Sequence, residues 1–237
     1  MRRPPRLRAS LRPDLRSTHG AAVPLMADGD ADKPGCGYHR GMRIFLAGAS
    51  GVIGLRLVPL LIAAGHDVAG LTRTQVKADL LQSLGAEPVV GDVFELDTLS
   101  DAVASFRPDV VLHELTDLPD DSTRILELGA ANSRMRRQGT RNLLAAAKAA
   151  GARGFVAQSV AWQIPGDGVQ AVEEHERAVL GAGGVVIRYG RFYGAGTYFE
   201  SELPPPPRVR VDDAARRTLV ALTAPTGVIT VTEDHTG

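Results

Sequence analysis

Residues 43–54 read RIFLAGASGVIG, an apolar run that passes directly into Gly48, Gly51 and Gly54. The branched and aromatic side chains from Arg43 to Ala47 predict a strand, and the apolar spacing from Val52 to Ala64 predicts the helix that follows. Each glycine between them has a separate task. Gly48 permits a tight turn, Gly51 lets the backbone approach a pyrophosphate, and Gly54 lets the helix pack on the strand. The helix start then presents N–H groups and the positive end of its dipole to the phosphates. Three glycines can also serve a plain tight turn, so it is the strand before and the helix after that carry the reading. The expected contacts of a dinucleotide here are Gly48, Ser50, Gly51, Val52, Ile53 and Gly54.

Outward from this turn the chain alternates short β-rich runs with longer helical ones, the signature of βαβ units and a parallel sheet. Strands are expected at 67–71, 87–90, 110–112, 154–158 and 184–188, with weaker runs at 209–211 and 228–231. Helices are expected at 75–84, 96–106, 124–150, 172–180 and 213–222, and Gly65, Gly85 and Gly151 stand where helices should stop. Right-handed crossovers fold such a chain into a doubly wound α/β sheet of Rossmann type. A small, curtailed C-terminal substrate lobe is expected from elements around 160–210, with Pro204–Pro207 as a stiff linker.

The first 41 residues differ, carrying arginine, proline and glycine without apolar periodicity, and read as a disordered tail ahead of a domain at 42–237. Arg2-Arg3 lacks the apolar stretch of an export signal, and Met42 is an alternative start. A formal net charge of +0 gives no bulk attraction to nucleic acid or an anionic membrane. The single cysteine, Cys36, excludes an intrachain disulfide, and no Cys/His cluster has metal-ligand spacing. A cytoplasmic protein with a small-molecule substrate is expected, with a homodimer left open.

The second strand ends in Thr72 and Arg73, where an acidic residue would accept the ribose hydroxyls of NAD and a cation would suit the 2′-phosphate of NADP. NADP is therefore the expected cofactor, NAD the alternative; Arg73 as a solvated loop residue is the plainer reading. Asp92, after the third strand, is placed for the adenine amino group with Val93 against the ring, or else simply caps the next helix.

Taken together these residues resemble the extended and atypical short-chain dehydrogenase/reductases, the NAD-dependent epimerase/dehydratase family. The likeness runs from Met42 to about Val231 and rests on GASGVIG, GDV at 91–93, VVLHEL at 110–115, the run from Asn132 to Ser159, VVIRYGRFYGAGT at 185–197 and VRVDDAARRTLVAL at 209–222. The resemblance implies that His113 and Leu115 line the cofactor, that Ser159 occupies the catalytic serine position, and that Arg188 to Gly190 border the nicotinamide. His113 as a satisfied strand-end histidine and Ser159 as a turn residue are the plainer readings. Trp162, Tyr189, Phe192, Tyr193, Tyr198 and Phe199 line an apolar lobe or form its core, and Glu173, Glu174, Glu176 and Arg177 read as a solvated helix face.

One part of the family pattern is absent. Its hydride-transferring members pair a tyrosine with a lysine four residues later, whose charge lowers the phenol's pKa. Lysines occur here only at Lys33, Lys77 and Lys148, and no tyrosine lies between Ser159 and Tyr189. Two functions follow: an NADP-dependent oxidoreductase or epimerase-like enzyme using another acid (His113, Ser159, His175 or a tyrosine of 189–198), or a non-catalytic NADP(H)-sensing scaffold.

Overall fold

The computed structural model describes residues 41–118, 129–164, 166 and 168–233. The expected tail up to residue 40, and residues 124–128 of the expected long helix, lie outside them.

Seven strands form one parallel sheet: β1 (Arg43–Ala47), β2 (Asp67–Thr72), β3 (Glu87–Val90), β4 (Val110–His113), β5 (Gly154–Val160), β6 (Val185–Tyr189) and, at the far edge, Gly227–Val231. Numbered in chain order, the last of these is β9, because β7 (Arg191–Tyr193) and β8 (Arg208–Arg210) pair separately as a small parallel ribbon. The order across the sheet is β3-β2-β1-β4-β5-β6-β9. It reverses between β1 and β4, which opens a crevice at their carboxyl ends, where ligands bind in such sheets.

The helices are α1 (Gly54–Ala63), α2 (Gln75–Ser83), α3 (Leu96–Phe106), α4 (Gly129–Arg134), α5 (Thr140–Ala149), α6 (Gly168–Gly181) and α7 (Val211–Ala221). Alternation along each buried strand divides the core into two clusters. Leu46, Leu112, Val156 and Ile187 pack under α1 and α7, while Phe45, Val111, Ala157 and Val186 pack under α3, α5 and α6. Gly65, Gly85 and Gly151 close their helices with positive φ, as expected.

Two expectations are corrected, and one strand is new. The strand β7 was not foreseen, because a three-residue ribbon has too short a period to read. The expected long helix is interrupted by a π-helical turn at Met135–Gly139, joining α4 to α5. Glu176, expected on a solvated face, is buried, whereas Glu173, Glu174 and Arg177 are exposed. Among the described residues no helix is long and apolar enough to cross a membrane.

Candidate functional site

The turn between β1 and α1 is tight on two sides and open on the third. Gly48 has φ of +92°, and a Cβ there would stand 2.7 Å from the Glu114 carbonyl carbon and oxygen at the end of β4. A Cβ on Gly54 would lie 2.2 Å from the Gly48 oxygen. Gly51 donates its N–H to the Gly48 oxygen at 3.0 Å. A Cβ on Gly51 would meet only that same oxygen, at 3.2 Å. The open side lies before α1, where Ile53 supplies no side-chain cap; Leu55 and Arg56 already donate to the Gly51 and Ile53 oxygens at 3.0 Å, which leaves the Ile53 and Gly54 amides to water or an anion. Such a cradle fits a pyrophosphate.

Beside it, the Ser50 and Thr72 hydroxyls share a hydrogen bond of 3.0 Å, which ties the turn to the end of β2. Thr72 is buried; Arg73 next to it is exposed, its Nη1 3.7 Å from the Asp117 carboxylate. Asp92 accepts the Phe94 N–H at 2.9 Å, making the local turn after β3. Val93 is buried, and its carbonyl accepts from Asn142 Nδ2 at 2.9 Å. Ile53 is buried and Val52 exposed.

At the ends of β4, β5 and β6 several polar side chains are bonded to one another. His113 Nδ1 accepts the Leu115 N–H at 3.2 Å, which leaves Nε2–H to donate to Thr140 Oγ1 at 3.1 Å. His175 Nε2 faces the Gln158 carbonyl at 2.9 Å and must donate to it, so Nδ1 accepts from Thr140 Oγ1 at 2.7 Å. Each ring is thereby fixed as one neutral tautomer. Burial pushes His113 well below the ordinary histidine range, helped by His175 and Arg136, and burial lowers His175 to about 4.

Alongside this chain, Ser159 and Arg188 are neighbours across β5 and β6. The Ser159 hydroxyl donates to Glu176 Oε1 at 2.6 Å, and Arg188 grips the same carboxylate through Nε at 2.9 Å and Nη2 at 2.5 Å. Burial alone would raise the Glu176 carboxyl, but the bonds from Arg188 and Ser159 outweigh it and hold it below the usual range. On the opposite face of the sheet Glu114 is buried, and burial raises its carboxyl to about 8. Tyr189 donates to its Oε1 at 3.2 Å, and its Oε2 has no hydrogen-bond partner. Past the ends of β5 and β6, Arg191 from β7 stacks on the Trp162 ring, 4.8 Å from its centroid.

Residues 48–183, more than half of the chain, match the family described as NAD(P)H-binding. The chain belongs to this NAD(P)H-binding family. It is similar to the 3-diazoavenalumate denitrifying reductase of a Streptomyces species, 35% identical over 240 residues that cover 82% of this chain and 77% of the relative. A 72-residue stretch, 30% of this chain and 21% of the relative, is 38% identical to the 4-hydroxy-2-methyl-3-oxo-4-farnesyl-3,4-dihydroquinoline-1-oxide ketoreductase of Stigmatella aurantiaca. The fold is similar to that of Thermus thermophilus UDP-glucose 4-epimerase in complex with NAD, with a TM-score of 0.67, 20% identity, and coverage of 81% of this chain and 78% of that one. Membership of this family makes a nicotinamide cofactor the ligand of this chain.

The tertiary structure brings Ser50, Thr72 and Arg73 together, and separately His113, Ser159 and Arg188. The sequence reading missed Glu114, Thr140, Glu176 and Arg136 as members of the site. Only Glu176 carried a signal: it lies one residue past His175 on a face otherwise apolar at Ala171 and Val179.

Proposed function

We propose that this protein is an NADPH-dependent reductase acting on a small aromatic acceptor that needs no proton from the protein, an arenediazonium acid being the class. The observation that carries this reading is that the candidate acids near the strand ends are already committed. The two histidines are neutral and donate to fixed partners, Ser159 donates to Glu176, and Tyr189 is buried with its hydroxyl between Glu114 and Thr218. A ketone needs a proton on its developing alkoxide. An arenediazonium ion that takes up hydride releases dinitrogen and leaves a neutral arene, so no acid is required. The bound nicotinamide supplies that hydride.

On this reading Gly48, Ser50, Gly51, Val52, Ile53 and Gly54 hold the pyrophosphate, Thr72 and Arg73 the 2′-phosphate, and Asp92 and Val93 the adenine. His113, Leu115 and Arg188 shape the nicotinamide end, and Ser159 positions rather than protonates. The diazo substrate and the reductase name of the Streptomyces relative support the enzyme over a sensor. The test is NADPH oxidation with a carboxylated arenediazonium, measured against the reaction without protein and against a panel of ketones. Transfer of deuterium from one face only of C4-labelled NADPH to the arene is the expected result. Brisk, Ser159-dependent turnover of a simple ketone would replace this reading with an alcohol-ketone enzyme.

A further inference from the structure

Three arginines stand close together where α4 meets α5, and the structure uses two of them at the surface. Arg134 lies over the Phe94 ring at 3.9 Å and donates to Gln138, and Arg137 pairs with Glu174 at 2.6 Å. Arg136 differs: it is half-buried, and among the described residues it makes no hydrogen bond or ion pair through its side chain. Its place in the fold says where it stands. The helix runs antiparallel to the strands, so residues before Thr140 lie beyond the strand ends. Thr140 is level with His113 and His175, touching both rings. Arg136 sits one turn earlier, inside the π-helical segment, about 6 Å further out at 1.5 Å per residue. That puts its backbone beyond the carboxyl ends of β4 and β5. Interrupted helices of this kind recur at functional sites.

We propose that Arg136 is a substrate-binding residue that receives an anionic oxygen, a carboxylate or phenolate, on the aromatic acceptor. The identity of the crevice as the acceptor site rests on the reductase reading above; the need for an anion does not. A half-buried cation that no carboxylate among the described residues contacts is costly, and a ligand anion lowers the cost. The anionic side chain nearest in this cluster, Glu176, is already gripped by Arg188 and Ser159. Two neutral histidines, His113 and His175, face Arg136 and offer it no charge, and its own pKa is lowered by burial despite the attraction of Glu176. The pyrophosphate cradle and Arg73 lie at the β1 and β2 ends, on the other side of the crevice, so the phosphates of the cofactor have their own partners.

The test is a calorimetric titration of the NADP⁺-loaded protein with 4-hydroxycinnamate and with its uncharged amide, neither of which reacts. Wild type should bind the carboxylate at least about tenfold more tightly than the amide, the weight of a charge-assisted bond. Arg136→Met should abolish that preference, Arg136→Lys should keep part of it, and NADP⁺ affinity should change less than about twofold. Melting temperature separates this role from a structural one, because removing an unpaired cation should leave it unchanged or raise it. Equal binding of acid and amide, no binding of the acid, an unchanged preference in Arg136→Met, or a large loss of NADP⁺ affinity would each overturn the proposal. Because nothing in this titration turns over, failure of the diazonium assay leaves its outcome decisive.

Discussion

The two halves of the sheet treat their carboxyl ends differently. At β1 and β2 the chain keeps space open: Gly51 faces outward with no side chain, and Arg73 is exposed. At β4, β5 and β6 the same level is filled by side chains bonded to one another, His113 to Thr140 to His175 and Ser159 to Glu176 to Arg188. The first half leaves main-chain groups uncovered, and small residues make that possible. The second half is a polar wall in which His113, His175, Ser159 and Arg188 are already bonded, and such a network rigidifies the site at the expense of free proton donors.

The sharpest way to break this comparison is within the glycine turn itself. Gly48→Ala should destabilise by about 3 kcal/mol or more, because it combines a strained φ with a backbone clash. Gly51→Ala should change stability by only about 0.5 kcal/mol yet weaken cofactor binding, because its Cβ enters the open side. Denaturant unfolding and a cofactor titration on both variants check the pair. If Gly51→Ala bound cofactor as wild type does, the cradle would be misassigned.

For the polar wall, Arg188→Met leaves Glu176 buried with Ser159 as its remaining donor. A loss of about 3 kcal/mol is expected, at the low end for breaking a buried pair because Arg188 keeps solvent access. Unfolding in urea measures it, and a loss under 1 kcal/mol would show the wall to be an ordinary surface pair.

The pH profile sharpens the contrast between the two faces of the sheet. Glu114, raised from 4.5 to about 8, stays protonated in the folded protein over a range where the unfolded chain has released its proton. Folded protein then binds more protons, so this group makes stability fall as pH rises from about 4.5 to about 8. The buried histidines act oppositely. Unfolded histidine takes up its proton below 6.5 while His175 holds off until about 4, so their contribution is complete above 6.5 and is lost as pH falls. Above 6.5 the histidine contribution is complete, so Glu114 makes stability fall from there toward pH 8. In Glu114→Gln this decline should disappear, at up to about 1.4 kcal/mol per pH unit relative to wild type. Parallel melting curves from pH 5 to 9, or equal slopes in the two proteins, would refute the buried neutral acid.

The smallest expected effect is at Arg73, which is exposed and shares its charge with Asp117 at 3.7 Å. Arg73→Ala should reduce a preference for NADPH over NADH by about tenfold, and Asp117→Ala should increase it by freeing the guanidinium. Calorimetric titration with both cofactors decides, and no change in either variant would return Arg73 to the solvated loop.

What the sequence by itself determined is the part of the molecule written in local chemistry. Strand β1, the three glycines, the helix stops at Gly65, Gly85 and Gly151, and the alternation of strand and helix are properties of neighbouring residues, so period and turn chemistry expose them. The family likeness at 48–183 grows from the same stretch. What only the tertiary structure decided is the pairing of side chains distant in sequence. Glu176 meets Ser159 17 residues away and Arg188 12 away, Glu114 meets Tyr189 75 away, and Thr140 joins histidines 27 and 35 residues away. A glutamate on an amphipathic helix looks solvated until its partners are in place, because burying a charge is favourable only when another chain segment brings the opposite charge and the hydrogen bonds with it. The π-helical turn was hidden for the same reason: helix periodicity shifts by a single residue there, in a segment that packs against α6.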